Sequence, residues 1–119
     1  MVWLDDPEEH DYPAAQDYLE LHFDPATARK LASNLKKAKT QTKKAKDILR
    51  ASGLALLPPS NGHVAHNVDK VKAGKALSPI LLVRDYPRLI VADGYHRLCA
   101  VYYLSEDLTV PCRIANLSE

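Results

Sequence analysis

A chain of 119 residues that is 46% hydrophobic and 26% charged has the size and balance of one folded domain, which argues against wholesale disorder, a fibrous repeat or a second domain. Its net charge of +1 predicts no polyanion partner by itself. No apolar run approaches the ~18–20 residues that cross a bilayer, and Met1-Val2-Trp3-Leu4-Asp5-Asp6 lacks the basic-then-apolar order of a secretion signal, so no membrane partner and a cytoplasmic location are expected.

The charges are unevenly placed along the chain. Asp5, Asp6, Glu8, Glu9, Asp11, Asp17, Glu20 and Asp24 occupy residues 1–24 without a Lys or Arg among them. With Pro7, Pro13 and no clear period, residues 1–17 read as an acidic arm, extended or flexible, ahead of a single domain over 18–119. Tyr18-Leu19-Glu20-Leu21-His22-Phe23 alternates and predicts a first strand. Asp24 can cap free amides and Pro25 tolerates the first helical position, so a helix starts there and carries Ala28, Leu31, Ala32, Leu35 and Ala38 on one face. After the Thr40-Gln41-Thr42 break, Ala45, Ile48 and Leu49 predict a second short helix ending at Gly53. These two helices invert the charge: Arg29, Lys30, Lys36, Lys37, Lys39, Lys43, Lys44, Lys46 and Arg50 stand against Asp47 alone.

Pro58-Pro59-Ser60-Asn61-Gly62 reads as a loop, and Val64, Val68 and Val71 as the stripe of a third helix that stops at Gly74. Pro79-Ile80-Leu81-Leu82-Val83 and Leu89-Ile90-Val91-Ala92 flank a turn at Asp85-Tyr86-Pro87-Arg88 and predict a β-hairpin. Leu98, Val101 and Tyr102 then form the apolar face of a helix from about Tyr95 to Leu104. Val110, Cys112 and Ile114 alternate in a last strand, which Pro111 places near a sheet edge because it cannot donate to a ladder. Cys99 and Cys112 have no metal-ligand spacing and are too few for a disulfide framework, so two buried thiols are expected. The elements add up to an α+β domain, a small mixed β-sheet with packed helices.

The chemistry concentrates at Asp93-Gly94-Tyr95-His96-Arg97, where a strand passes into a helix through a glycine. Free amides at a helix N-terminus carry partial positive charge, and a glycine before them lets a ligand approach the backbone. His96 and Arg97 fall in the first turn, where a guanidinium can grip phosphate oxygens as a fork and an imidazole adds a donor or acceptor. Asp93 must then face away from an anionic ligand or reach it through a metal.

An apolar strand after Gly74 and Pro79, a second strand, and then Asp-Gly-x-His-Arg followed by Leu98 and Ala100 resembles the ParB/sulfiredoxin superfamily over about residues 63–114. The resemblance implies a compact α+β fold whose helix N-terminus binds phosphate of a nucleotide or nucleic acid, in some members with CTP or ATP turnover, for which Mg would be the accompanying ion. Gly94, His96 and Arg97 match that family's phosphate-binding turn, whereas Asp93 and Tyr95 occupy positions where its members differ. Sulfiredoxins carry a catalytic cysteine directly before the His-Arg pair. Here that residue is Tyr95, so sulfinate reduction is not expected. ParB proteins that load onto DNA continue into a helix-turn-helix region, whereas this sequence ends at Glu119, so operator binding is not expected either.

The functional expectation is a phosphate- or nucleotide-binding module acting as regulator or adaptor, with a nucleotide-hydrolysing enzyme or nuclease using the same turn as the alternative. Asp85, Asp93 and Glu106 are the carboxylates a nuclease would use, although their spacing matches no defined motif. His63 and His66 could join His96 around a metal, but no nearby Cys or carboxylate completes the set, and no metal site is expected. Lys36, Lys37, Lys39, Lys43, Lys44 and Lys46 are candidate nucleic-acid contacts, weighed against the solvated helix faces that most charge runs are. The acidic arm could lie across them as a screen.

Overall fold

A computed structural model describes residues 1–118. The helices are α1 (Asp11–Leu19), α2 (Pro25–Lys37), α3 (Ala45–Ser52), α4 (Gly62–Lys72) and α5 (Tyr95–Leu104). The strands are β1 (Gln41–Lys44), β2 (Ile80–Asp85), β3 (Arg88–Asp93) and β4 (Thr109–Asn116). They form one mixed sheet in the order β1-β4-β2-β3, in which β2 and β4 run parallel and the two outer pairs antiparallel. The fold is therefore α+β. No helix among the described residues is long and apolar enough to cross a membrane.

Both faces of the sheet are covered, which is why β2 reads as a continuous apolar run. Leu81 and Val83 point to one side and pack with Tyr12, Ala15 and Leu19 of α1 and Leu31 and Leu35 of α2. Ile80 and Leu82 point to the other and pack with Ile48 of α3 and Leu98 and Val101 of α5. Behind α5, α4 adds an outer layer through Val64 against Cys99 and Ala100. Each fully buried leucine in these clusters contributes about 1.5–3 kcal/mol relative to exposure.

Local signals explain the helices that the sequence announces. Asp24 caps α2 by accepting from the Thr27 amide at 2.7 Å, with Pro25 in the first turn. Asn61 caps α4 by accepting from the amides of His63 and Val64. Gly53 ends α3 at φ +68°, a left-handed conformation that costs glycine little.

Four expectations are corrected. Residues 18–23 are not a strand: Tyr18 and Leu19 close α1, and the buried stripe is Tyr12, Ala15 and Leu19 at helical spacing, while Leu21 is 83% exposed. The acidic segment is not an extended arm either. Trp3 bridges to Leu77, the Leu4 amide donates to the Leu77 carbonyl at 2.9 Å, and Asp11 and Tyr12 are buried. Residues 41–44, read as a break between helices, form β1 by pairing with β4, although every side chain is exposed. Finally, β4 is an inner strand, with Pro111 in register with Thr42 of the short β1.

Candidate functional site

The hairpin delivers the predicted turn to one end of the sheet. Asp93 ends β3, Gly94 reverses direction at φ +106°, and α5 starts at Tyr95 with no side chain capping its first amides. Glycine is favoured here, because any other residue would be strained at this positive φ and its Cβ would lie 2.9 Å from Arg97 Nη2 and 3.0 Å from Ile80 Cγ1, so that those side chains would have to shift. A cleft of about 460 Å³ opens against the turn, walled by Asp93, Gly94, Tyr95 and His96 on one side and by Ala14 and Tyr18 of α1 on another.

The five turn residues share this location, but their side chains diverge. Arg97 turns inward: its Nη2 donates to Asp93 Oδ2 at 2.9 Å and to the Pro79 carbonyl at 3.1 Å, while its buried Nε has no partner among the described residues. The expected phosphate fork is thus engaged within the fold. Burial pushes the Asp93 carboxyl above its ordinary range, against the opposing pull of Arg97; Asp11 adds to the upward push and His10 opposes it. Burial outweighs the ion pair because both side chains are more than four-fifths buried. Tyr95 sends its hydroxyl to the Ala55 carbonyl, and Tyr103 donates to the Leu57 carbonyl at 2.7 Å, so α5 holds the 54–60 loop in place.

His96 both lines the cleft and meets His63 of α4, with ring centroids 4.7 Å apart. Desolvation lowers its pKa, and the neighbouring His63 and Arg97 lower it further, so a neutral imidazole is favoured. It can act as donor or acceptor toward a bound group.

The remaining candidates are scattered. Asp85 pairs with Arg88 at the hairpin end, Asp93 sits at the far end of β3, and Glu106 accepts from the Tyr102 hydroxyl beyond α5, so the three carboxylates form no common site. His66 joins no cluster with His63 and His96 among the described residues. The one grouping of potential metal ligands among those residues is Glu8, His10 and Asp11. Asp11 is already committed there, accepting from the Ser78 hydroxyl and from the Glu8 amide at 3.0 Å.

The lysines spread over three elements and a link instead of two helices. Lys36 and Lys37 end α2, Lys39 lies in the link, Lys43 and Lys44 are on β1, and Lys46 starts α3. Lys36 pairs with Glu9 at 3.1 Å and Lys46 with Asp107 at 2.7 Å. Lys37, Lys39, Lys43 and Lys44 are exposed and reach no carboxylate among the described residues. The acidic segment therefore screens Lys36 alone.

Sequence reasoning missed the α1 wall of the cleft and the buried Arg113. Ala14 and Tyr18 carry no motif, and their place depends on α1 packing beside β3. Arg113 sits among the apolar residues of an alternating strand with no local mark. Comparison with protein-family models, with curated proteins and with solved structures finds no match.

Proposed function

We propose that the chain is a phosphate- or nucleotide-binding module of the ParB/sulfiredoxin-like kind, acting as a regulator or adaptor. The observation that carries the reading is the uncapped start of α5 facing the cleft of about 460 Å³, with Gly94 leaving the backbone open to approach. In this reading the amides after Gly94 hold an anionic oxygen and His96 adds a hydrogen bond. Arg97 sets the turn's shape through Asp93 and Pro79 and contributes positive potential from behind. Asp93 is the one carboxylate in the cleft wall and is held by Arg97, so it offers Mg²⁺ no protein cage; the ion would ride on a nucleotide's own phosphates.

Hydrolysis at the same turn is a second reading, favoured by one feature: a largely buried Asp93, its carboxyl raised above its ordinary range by desolvation, lines the cleft where a proton acceptor would stand. Calorimetric titration of CTP, ATP, ADP and pyrophosphate tests both. Saturable heat that falls about ten-fold or more in His96→Ala supports the binding reading. Release of inorganic phosphate that is lost in Asp93→Asn supports the second. No heat with any of the four ligands overturns both.

A further inference from the structure

We propose that the free edge of β3 is a docking groove for an extended peptide segment carrying acidic residues, which adds to the sheet as a fifth strand. The sheet has two edges of different character. β1 is short, entirely exposed and reads Gln-Thr-Lys-Lys, the charged, abbreviated edge that discourages pairing. β3 is longer and its middle is Leu89-Ile90-Val91-Ala92, yet its backbone pairs with β2 alone among the described residues.

A second cavity, of about 310 Å³, lies along that edge. Its walls include Tyr18 and His22 from the α1 side of the sheet, Arg50 and Gly53 from the α3 side, and Leu89 and Val91 of β3 itself. A cavity walled from both faces of the sheet can only lie beyond the outermost strand. It shares Tyr18, Leu54 and Val91 with the cleft at Gly94, so the two cavities adjoin along β3. The recess suits a single strand inserted between α1 and α3. A second copy of the chain would have to bring its own overhanging helices to the same place.

Charge selects the occupant. Arg50 and His22 line the groove together with Arg88, whose charge Asp85 already engages, and no Asp or Glu lies in the wall itself. Arg50 is 79% exposed, and Asp47 reaches it only at 3.8 Å. An incoming carboxylate would complete that pair, main-chain hydrogen bonds to β3 would supply affinity, and apolar side chains would fill the space beside Tyr18 and Leu54.

The probe is the peptide acetyl-Glu-Val-Thr-Val-Thr-Val-Glu-amide, titrated into the full chain and followed by backbone amide NMR and hydrogen exchange. Expected are saturable shifts and slowed exchange at Leu89, Ile90 and Val91, and about ten-fold weaker binding when both glutamates are replaced by lysine. Arg50→Glu should erase or reverse that preference, and N-methylation of alternate peptide amides should abolish binding. Equal affinity for both peptides, insensitivity to N-methylation, shifts confined to Gln41–Lys44, self-pairing of the chain through β3, or no shifts at millimolar peptide would each overturn the proposal. The probe carries no phosphate, so its failure leaves the reading of the α5 start standing, and failure of nucleotide titration leaves this one standing.

Discussion

Arg97 and Asp93 are joined across the Gly94 turn at 2.9 Å, and the same Arg97 nitrogen also holds the Pro79 carbonyl that precedes β2. One side chain thereby ties the end of β3, the start of α5 and the entry to β2. Removing it strands a largely buried carboxylate and a carbonyl, so Arg97→Ala should lower stability by about 1–3 kcal/mol, in addition to any effect on ligand. Arg97→Lys should recover part, because its ammonium keeps the charge and several donors but lacks the planar guanidinium that aims one nitrogen at both oxygens. Urea unfolding of Arg97→Ala, Asp93→Asn and the double variant measures the coupling. Strict additivity would show that the pair does not act as a clamp.

His96 makes stability depend on pH with a defined sign. Its folded pKa lies below the ordinary 6.5, so the unfolded chain binds its proton more readily. The stabilisation is complete above 6.5 and is lost as pH falls toward the folded value. The urea midpoint should therefore drop between pH 7.5 and 5.5, and His96→Gln should flatten that limb. His63→Gln should flatten it less, since it removes only one of the influences on His96. Parallel curves for wild type and His96→Gln would contradict this.

Gly94→Ala places a methyl against Arg97 and Ile80 at φ +106°. The strain should cost about 1–3 kcal/mol and loosen the Arg97–Asp93 pair. A thermal midpoint equal to wild type would show that the turn can relax.

How much of this was legible depends on whether a residue's fate is decided locally. α2 was readable because Asp24 and Pro25 cap it and its buried face repeats at helical spacing. The hairpin was readable because both faces of β2 are covered, leaving an unbroken apolar run. β1 was not, since Gln41–Lys44 is exposed on every side chain and owes its extension to β4. The α1 error came from Leu19, Leu21 and Phe23, which alternate by coincidence while the pattern that decides the helix begins earlier, at Tyr12. At the site, the glycine and the helix start were visible. The inward direction of Arg97 was signalled only by its spacing of four from Asp93, the reach of an ion pair along a helix.

Both cysteines should resist labelling. Cys112 is fully buried and its thiol is pushed up to about 11 by desolvation, and burial raises Cys99 as well. A thiol reagent at pH 8 should react with neither until denaturant is added, because the thiolate is the reacting form. Rapid modification of either residue in native buffer would show that the α4–α5 layer or the sheet opens readily.

Of the six candidate lysines, Lys37, Lys39, Lys43 and Lys44 reach no carboxylate among the described residues and are left to meet a polyanion. If they do, duplex binding should weaken with salt at a log–log slope of about 0.9 per phosphate neutralised, and changing all four to Gln should remove it. Binding that is flat between low and moderate salt would assign them to the solvated surface. Cutting away residues 1–17 would remove most of α1 from the core and both the Asp6 and Tyr12 partners of Arg113, so it would unsettle the fold as well as unscreen Lys36.

Arg113 is the buried cation that anchors the acidic segment. From β4 it donates through Nη2 to Asp6 at 2.6 Å, through Nη1 to the Tyr12 hydroxyl at 3.1 Å and the Lys36 carbonyl at 2.8 Å, and through Nε to Thr40 at 3.1 Å. The Lys36 carbonyl belongs to the last turn of α2, where orphan acceptors and the helix dipole both favour a cation. Arg113→Met keeps the packing volume but leaves those acceptors without a donor, and should cost about 1.5–3 kcal/mol. Asp6→Asn should cost far less, because the Asp6 side chain is 74% exposed and water can replace its partner. Hydrogen exchange separates this anchoring from general loosening: Arg113→Met should speed exchange in residues 1–12 and 34–40 more than in β2 and β3. Uniform acceleration across the sheet would show that Arg113 supports the core as a whole and does not specifically hold the first helix and the end of the second.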